Sequence, residues 1–258
     1  MKAKGLSGST LKIIAVVTMI IDHIAAAVLW RFVVVRGDSA FLAGASEGLL
    51  RVVQSENLFL IYRVMRNIGR IAFPIFCFLL IEGFEHTRDA RKYVVRLGLF
   101  ALLSEIPFDL AFQGELLEFT YQNVFFTLFI GLLTIVLFHA AEEWQTIHPP
   151  LRVFLLAVIS VGGMCLAHVV HTDYAARGVM CILVFYIFRK SRQAQIIAGI
   201  LAFFWWEPAA VLAFVPIALY NGTRGIRLKY AFYAVYPLHL LILYAVSAIL
   251  GLGAVAVV

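Results

Sequence analysis

Charged residues are scarce in this sequence. They make up 14% of its 258 residues, whereas a soluble globular domain carries about 25%. Hydrophobic residues fill 63% of the chain, and its mean hydropathy is +0.94. A water-soluble fold of this length cannot bury so much apolar surface, because over half of a globular surface must face water. The scarcity of charge therefore excludes a soluble domain and predicts an integral membrane protein.

Cysteine is also scarce, with Cys77, Cys165 and Cys181 scattered through apolar runs. An odd, dispersed set of cysteines excludes a disulfide framework. Buried cysteine most often behaves as a small hydrophobic residue. We therefore expect all three to serve as packing residues.

The apolar residues occur in long continuous runs, which indicates helices rather than the alternating strands of a β-barrel. A spanning helix needs about 20 such residues, so we predict one all-α, polytopic transmembrane bundle over residues 1–258 with about nine (nine to ten) spans. We expect Pro74 to kink the second helix and residues 41–53 to form an interfacial helix. The predicted helices are 11–30, 60–84, 94–112, 122–141, 151–170, 174–189, 194–206, 208–220 and 230–252.

The formal net charge of +6 comes from basic residues that cluster in alternate connecting segments. In a multispan protein such an excess usually marks cytoplasmic loops rather than a nucleic-acid site. We therefore expect no nucleic-acid partner, a cytoplasmic N-terminus and a C-terminus on the outer side. The cytoplasmic segments would contain Lys2, Lys4 and Lys12, then Arg88, Arg91, Lys92 and Arg96, and later Arg189, Lys190, Arg192, Arg224, Arg227 and Lys229.

Three ionisable residues are predicted to lie deep in separate spans, where such groups are costly and often functional. His23, Glu105 and His239 each follow a basic residue by nine to eleven positions, which corresponds to about 14–16 Å along a helix. We therefore expect them near one layer of the bilayer. Lys12 and His23 share a helix face, because eleven residues make three turns plus about 20°. Asp22 lies about 100° round from His23, towards a neighbouring helix.

The second predicted helix carries Arg63, Arg66 and Arg70 on one face, at i, i+3 and i+7. Arg70 would lie about 21 Å from the cytoplasmic edge, deep enough to need a carboxylate or a ligand. The third helix carries Glu105 and Asp109 four residues apart. We expect these two carboxylates to pair with Arg66 and Arg70.

Further polar residues gather towards the predicted outer side: Gln122, Asn123, His168, His171 and Asp173. The two histidines and Asp173 have a spacing that metal ligands can show. Their place near a helix end favours a solvated loop instead, so we expect no metal site.

Several blocks of the sequence resemble known membrane enzymes. The first span is similar to the first-helix signature of acyltransferase-3 enzymes, in which a basic residue precedes a histidine; it reads LKIIAVVTMIIDHI, with Lys12 and His23. Nearly the whole chain resembles the TraX family, most specifically in the blocks IGRIAFPIF (68–76), SEIPFDLAF (104–112) and YPLHLLIL (236–243).

The TraX family is named for a plasmid conjugation protein that acetylates the N-terminus of pilin. The resemblance therefore implies a bacterial inner-membrane acetyltransferase that uses cytoplasmic acetyl-CoA, with pilin or another peptide as the acceptor. It implies that His23 is the catalytic histidine, as general base or nucleophile, and that Lys12 is its basic partner. It also implies that the RxxR element Arg88–Arg91 is associated with the acyl donor.

The proposed reaction assigns roles to the remaining polar residues. Arg88, Arg91, Lys92 and Arg96 form a basic cluster suited to the phosphates of acetyl-CoA, with Lys12, Arg66 and Arg70 as further donor-binding candidates. Asp22 or Glu105 would orient the imidazole of His23. Arg70 or Asn123 would stabilise the developing oxyanion. The other pocket candidates are Asp109, Gln122, His168 and His239.

Two other classes of function remain open at this stage. Histidine, glutamate and arginine in the bilayer also suit a proton-coupled transporter of a small solute. In a membrane chaperone or pilus-assembly partner that is not an enzyme, the same residues would form structural pairs, and His239 would be a core histidine. Transport predicts proton-linked flux without coenzyme A, whereas a chaperone predicts variants that change only stability.

Overall fold

A computed structural model of the chain describes residues 5–35, 44–226 and 229–252. Over these residues the protein is all-helical and has two isolated β-bridges but no strand. A π-helical turn spans Ala25–Leu29, and a 3-10 turn spans Pro208–Ala213. The helices are α1 Gly8–Ile24, α2 Trp30–Val35, α3 Glu47–Val53, α4 Leu58–Gly69, α5 Ala72–Glu85, α6 Ala90–Phe112, α7 Val124–Glu143, α8 Pro149–Val169, α9 Ala175–Ile187, α10 Arg192–Phe204, α11 Phe214–Ala218 and α12 Lys229–Ile249.

Each predicted apolar run coincides with a helical segment. Among the described residues, five helical segments are long and apolar enough to cross a membrane. The predicted count of nine spans is not confirmed by this test. Of the predicted interfacial helix, 47–53 is helical as α3, and 41–43 lie outside the described residues. The five candidate spans are Gly8–Val35, Leu58–Glu85, Val124–Glu143, Pro149–Val169 and Phe232–Ile249.

The surface of α8 fits contact with lipid rather than water. Val153 and Phe154 are 66% and 64% exposed, and the helix buries little beyond Ala167. Apolar side chains on this scale are unfavourable in water, whereas hydrocarbon accommodates them. The three cysteines are free; Cys77 and Cys181 are buried, and Cys165 lies exposed on α8.

The second predicted helix is broken at Arg70 and Ile71, between α4 and α5. Pro74 is the third residue of α5. Proline has no N–H, and its ring clashes with the carbonyl four residues earlier, which here belongs to Arg70. Pro74 thus accounts for the break, and the expected kink lies one turn before it.

The start of α7 is fastened to α6 by Asn123. Its Oδ1 accepts the Phe125 N–H at 2.9 Å, and its Nδ2 donates to the Ala101 carbonyl at 3.0 Å and to the Glu105 carboxylate. Asp109 lies one turn after Glu105 on α6 and accepts a hydrogen bond from the Glu118 N–H at 2.9 Å. Both α6 carboxylates therefore bind the α6–α7 connection, and the expectation that they pair with Arg66 and Arg70 is wrong.

The chain before α1 runs beside the segment after α11. The Leu6 N–H donates to the Leu219 carbonyl at 2.7 Å, and the Ser9 N–H donates to the Arg224 carbonyl at 3.0 Å. A side chain at Gly225, whose φ is +71°, would overlap the Ser9 hydroxyl, so only glycine allows this approach. The contact holds Arg224 next to the first turns of α1, which carry Lys12.

Candidate functional site

Two histidines from distant parts of the chain meet between α1 and α12. His23 Nδ1 and His239 Nε2 are 2.7 Å apart, and the two rings are stacked with their centroids 5.0 Å apart. Two of the three residues predicted to share one layer of the bilayer are therefore in direct contact.

The backbone determines which nitrogens of this pair carry protons when both rings are neutral. His239 Nδ1 lies 2.8 Å from the Val235 carbonyl, which can only accept, so Nδ1 donates. His239 Nε2 must then accept, and His23 Nδ1 donates to it. This leaves a lone pair on Nε2 of His23, which can receive a proton from another molecule.

Aromatic rings enclose the His23 imidazole. Its ring meets Phe112 and Tyr236 edge-on, with centroid distances of 5.3 and 5.9 Å. Tyr236 is 2% exposed, yet its hydroxyl has no hydrogen-bond partner among the residues that the structure describes. The π-helical turn Ala25–Leu29 begins two residues after His23, and such turns often occur at functional sites.

Asp22 forms an ion pair beside His23. Its Oδ2 accepts from Arg66 Nη1 at 2.6 Å, and both side chains are largely buried. Its Oδ1 is buried without a partner in the described part of the chain and packs against Gly69. A Cβ at Gly69 would overlap the Asp22 side chain, so glycine is required there for this ion pair.

His23, Asp22 and Arg66 line a narrow cavity of about 150 Å³, which we call the neck. Tyr62, Arg66, Arg70, Tyr121, Asp173 and Tyr174 line both the neck and a wider cavity of about 580 Å³, which we call the outer vestibule. The other residues lining the vestibule are Arg63, Asn67, Ala175, Arg177, Trp206 and Glu207.

The α8–α9 connection presents Asp173 to both cavities. Asp173 accepts a hydrogen bond from the Tyr121 hydroxyl. Burial raises the pKa of the Asp173 carboxyl. The flanking residues His171 and Ala175 have φ values of +55° and +44°, a conformation that is uncommon outside glycine. His168 and His171 are exposed, as a solvated loop predicts, whereas Asp173 is half-buried.

A third cavity of about 550 Å³ lies on the other side of Met19 and Phe76, which also line the neck. We call it the inner cavity. Lys12, Arg96 and Arg224 line it, and Tyr236 lies in its wall. Lys12 thus lies on the same helix face as His23, as predicted, but at the far side of Met19. The remaining wall is mostly aromatic and aliphatic, including Tyr93, Leu97, Phe125, Leu128, Phe232 and Tyr233.

The predicted donor cluster is only partly in this wall. Arg88, Arg91 and Lys92 are exposed and do not line the inner cavity, although the preceding residues His86 and Thr87 do. Asp89 caps α6, and the hydrogen bond from the Lys92 N–H lowers the pKa of the Asp89 carboxyl.

Several predicted site residues lie away from His23. Glu105 and Asp109 line none of the three cavities and bind the α6–α7 connection instead. Asn123 is fully buried, and both polar ends of its side chain are engaged. Gln122 is buried, and its N–H donates to the His171 carbonyl at 2.9 Å. Arg70 contacts Glu207, with Nε and Oε2 3.2 Å apart.

Tyr236, Arg224 and Asp173 were missing from the predicted catalytic and donor-binding sets. The position of Tyr236 could have been inferred from its spacing, since it lies three residues before His239 and hence on the same face of α12. Nothing in the sequence indicates that Asp173 folds inward. Within the described ranges no group of three or more metal-ligating side chains occurs.

Fold and site together define a polytopic helical membrane protein in which a hydrogen-bonded, partly buried histidine pair lies beside the neck. The family model described as "TraX protein" matches residues 7–247, and the chain belongs to this family, as its sequence blocks predict. It is also 28% identical to the "Probable fimbrial assembly protein FimC, serogroup H1" of Dichelobacter nodosus, over 92% of this chain and 94% of that protein. No solved structure matches.

Proposed function

We propose that the chain is a membrane acetyltransferase that moves an acetyl group from acetyl-CoA to an amine at the N-terminus of a peptide. The observation that carries this proposal is the hydrogen-bonded chain from Val235 through His239 to His23. It leaves Nε2 of His23 unprotonated. His23 itself lines the neck, and Tyr236, whose ring contacts the imidazole, lines the inner cavity. A base held in this way suits an acyl transfer that needs one proton removed.

The inner cavity is suited to acetyl-CoA. Lys12, Arg96 and Arg224 provide positive charge for its phosphates, and Arg88 and Arg91 add charge on the surface nearby. The apolar wall suits the pantetheine arm, which spans about 15–20 Å when extended. The thioester would then lie beside Tyr236. The basic residues belong to segments that the sequence assigns to the cytoplasm, where acetyl-CoA is available.

The acceptor amine would enter through the outer vestibule and the neck. Its nitrogen attacks the thioester carbonyl carbon, and Nε2 of His23 takes the proton that the nitrogen loses. The carbon–sulfur bond then breaks, and the coenzyme A thiolate leaves and receives that proton from the imidazolium. The products are an N-acetylated acceptor and coenzyme A, and His23 is again neutral.

The oxyanion of this reaction needs a hydrogen-bond donor. Asn123 is a poor candidate because its amide already donates twice, and Arg70 is paired with Glu207. Tyr236 lines the inner cavity, its ring contacts the His23 ring edge-on, and its hydroxyl is without a partner in the described ranges. We therefore assign the oxyanion contact to Tyr236.

The family and the fimbrial relative support a pilus subunit as the acceptor. The chain belongs to the TraX family, whose resemblance implied pilin acetylation, and the Dichelobacter nodosus protein is described as a probable fimbrial assembly protein. A bacterial inner-membrane location with a cytoplasmic N-terminus would place the donor and acceptor cavities on opposite sides of the bilayer.

The test is turnover of radiolabelled acetyl-CoA by purified protein with a peptide acceptor. We expect the wild type to transfer the label and His23→Ala to bind acetyl-CoA while losing transfer by at least about 100-fold. His168→Ala, which changes an exposed histidine, is the matched control and should retain full activity. If folded wild type binds no acetyl-CoA at millimolar concentration, the proposal fails, and proton-coupled flux in proteoliposomes becomes the next measurement.

A further inference from the structure

The outer vestibule contains more positive charge than its own carboxylates can balance. Four arginines line it, and the three carboxylates in reach are already engaged. Asp22 pairs with Arg66, Glu207 contacts Arg70, and Asp173 accepts from the Tyr121 hydroxyl. The remaining arginines are Arg63 and Arg177.

Arg63 and Arg177 are exposed at the rim of the vestibule. Neither forms an ion pair or a hydrogen bond within the part of the chain that is described. Arg177 lies over the Trp206 ring, 5.6 Å from its centroid, which holds the guanidinium at the rim rather than in bulk solvent. Both cations line the same vestibule without a counter-ion there, so a bound anion would be attracted to both.

The distance from the rim arginine Arg63 to the imidazole of His23 can be estimated from the helix geometry. Arg63 and Arg66 lie three residues apart on α4, and Arg66 contacts Asp22 next to His23. Arg63 lies one turn further out, about 4.5 Å along the helix axis. With the length of both side chains added, the rim is about 10–15 Å from the imidazole, which an extended peptide spans in about three to five residues.

Resting on the proposed function, we infer that the acceptor is a peptide with an acidic side chain about three to five residues after its acetylated N-terminus, and that Arg63 and Arg177 bind this carboxylate. Guanidinium groups suit this task because they form paired hydrogen bonds with carboxylates. The site would thereby select acceptors by charge at a distance from the reacting amine.

The test compares synthetic peptide amides ten residues long in detergent at saturating acetyl-CoA. One has no charged side chain, and the others carry Glu at position 4, Lys at position 4 or Glu at position 9. We expect kcat/KM to be at least about ten-fold higher for Glu at position 4 than for Lys there. Glu at position 9 should resemble the neutral peptide.

Charge reversal of the rim provides the decisive comparison. In the double variant Arg63→Glu, Arg177→Glu the preference should reverse in favour of Lys at position 4. Arg51→Glu changes an exposed arginine on α3 that lines none of the three cavities, and it should keep the wild-type order.

The outcomes separate this inference from the function on which it rests. Equal kcat/KM for all four peptides with wild type overturns the inference and leaves acetyl transfer intact. A wild-type preference that survives charge reversal also overturns it, because other residues then determine the selectivity. If wild type acetylates none of the peptides, acetyl transfer to peptide amines is itself wrong.

Discussion

The carbonyl oxygen of Val235 determines which nitrogen of His23 is free to accept a proton. It lies one helical turn before His239 and engages Nδ1 of that ring, so Nε2 of His239 is left to accept from His23. The basicity of one side chain thus depends on a backbone atom on another helix. A single buried histidine without this partner would exchange between its two tautomers.

The first prediction at the scale of single residues concerns His239. His239→Ala removes the acceptor for His23 Nδ1, so the imidazole loses its fixed tautomer and orientation, and we expect kcat to fall by about 100-fold. His239→Gln, whose amide oxygen can accept the same proton, should lose no more than about ten-fold. Steady-state acetyl transfer with separately measured acetyl-CoA affinity checks this, since affinity should not change. Equal losses in both variants would show that His239 does not act through this hydrogen bond.

Gly69 provides a second prediction at this scale. Gly69→Ala would force the Cβ into Asp22 and separate it from Arg66. We expect a loss of about 1–3 kcal/mol in the free energy of unfolding, together with loss of acetyl transfer. Gly162→Ala on α8 is the control, because a Cβ there meets open space and should stabilise the helix by about 0.5–1 kcal/mol. Thermal unfolding of both variants in detergent makes the comparison, and similar shifts for the two would contradict the packing argument.

A single sequence encodes the depth of a residue along its helix but not the neighbour that its side chain faces. Depth along a span can be counted at about 1.5 Å per residue, and this count brought His23 and His239 together. The direction in which a side chain points depends on how its helix is rotated against its neighbours, which the sequence does not specify. Glu105 was therefore predicted on the correct helix, but with Arg66 and Arg70 as partners instead of Asn123.

At the scale of whole elements the prediction was more complete. Apolar runs defined the helices, and Pro74 accounted for the break between α4 and α5, because proline acts within one helix through its own backbone. The α6–α7 connection was not predictable in the same way. Asn123 and Glu118 of this connection donate hydrogen bonds to Glu105 and Asp109 of α6. These hydrogen bonds form only when the tertiary structure brings the groups together.

The corresponding prediction concerns Asn123 at the start of α7. Asn123→Ala removes the helix cap and the side-chain donor to Glu105 and the Ala101 carbonyl, and Glu105 keeps only the longer hydrogen bond from the backbone N–H of residue 123. We expect a loss of about 2–4 kcal/mol in the free energy of unfolding, with kcat per folded molecule changed less than about two-fold. The double variant Asn123→Ala, Glu105→Ala should recover part of the stability, because both partners are then absent. A large loss of kcat in well-folded Asn123→Ala would instead support the original assignment of this amide to the oxyanion.

At the scale of the whole molecule, Met19 and Phe76 separate the inner cavity from the neck, since both residues line each of them. This arrangement would let the reaction centre be reached from two sides without a continuous water path. It fits a reaction in which a hydrolysable thioester and an acceptor approach from opposite directions. Excluding water from such a centre prevents wasteful hydrolysis.

Removing this barrier provides the prediction for the molecule as a whole. Met19 is 6% exposed, and Met19→Ala would leave a void that joins the two cavities and admits water to the thioester. We expect hydrolysis of acetyl-CoA without acceptor to rise by at least about ten-fold, while acetyl transfer falls. Met19→Leu keeps the volume and apolar character of the side chain and should hydrolyse acetyl-CoA at the wild-type rate. Release of free thiol, measured with and without a peptide acceptor, distinguishes the two variants. If Met19→Ala remains folded, binds acetyl-CoA and hydrolyses it no faster than wild type, the two cavities do not converge on one reaction centre.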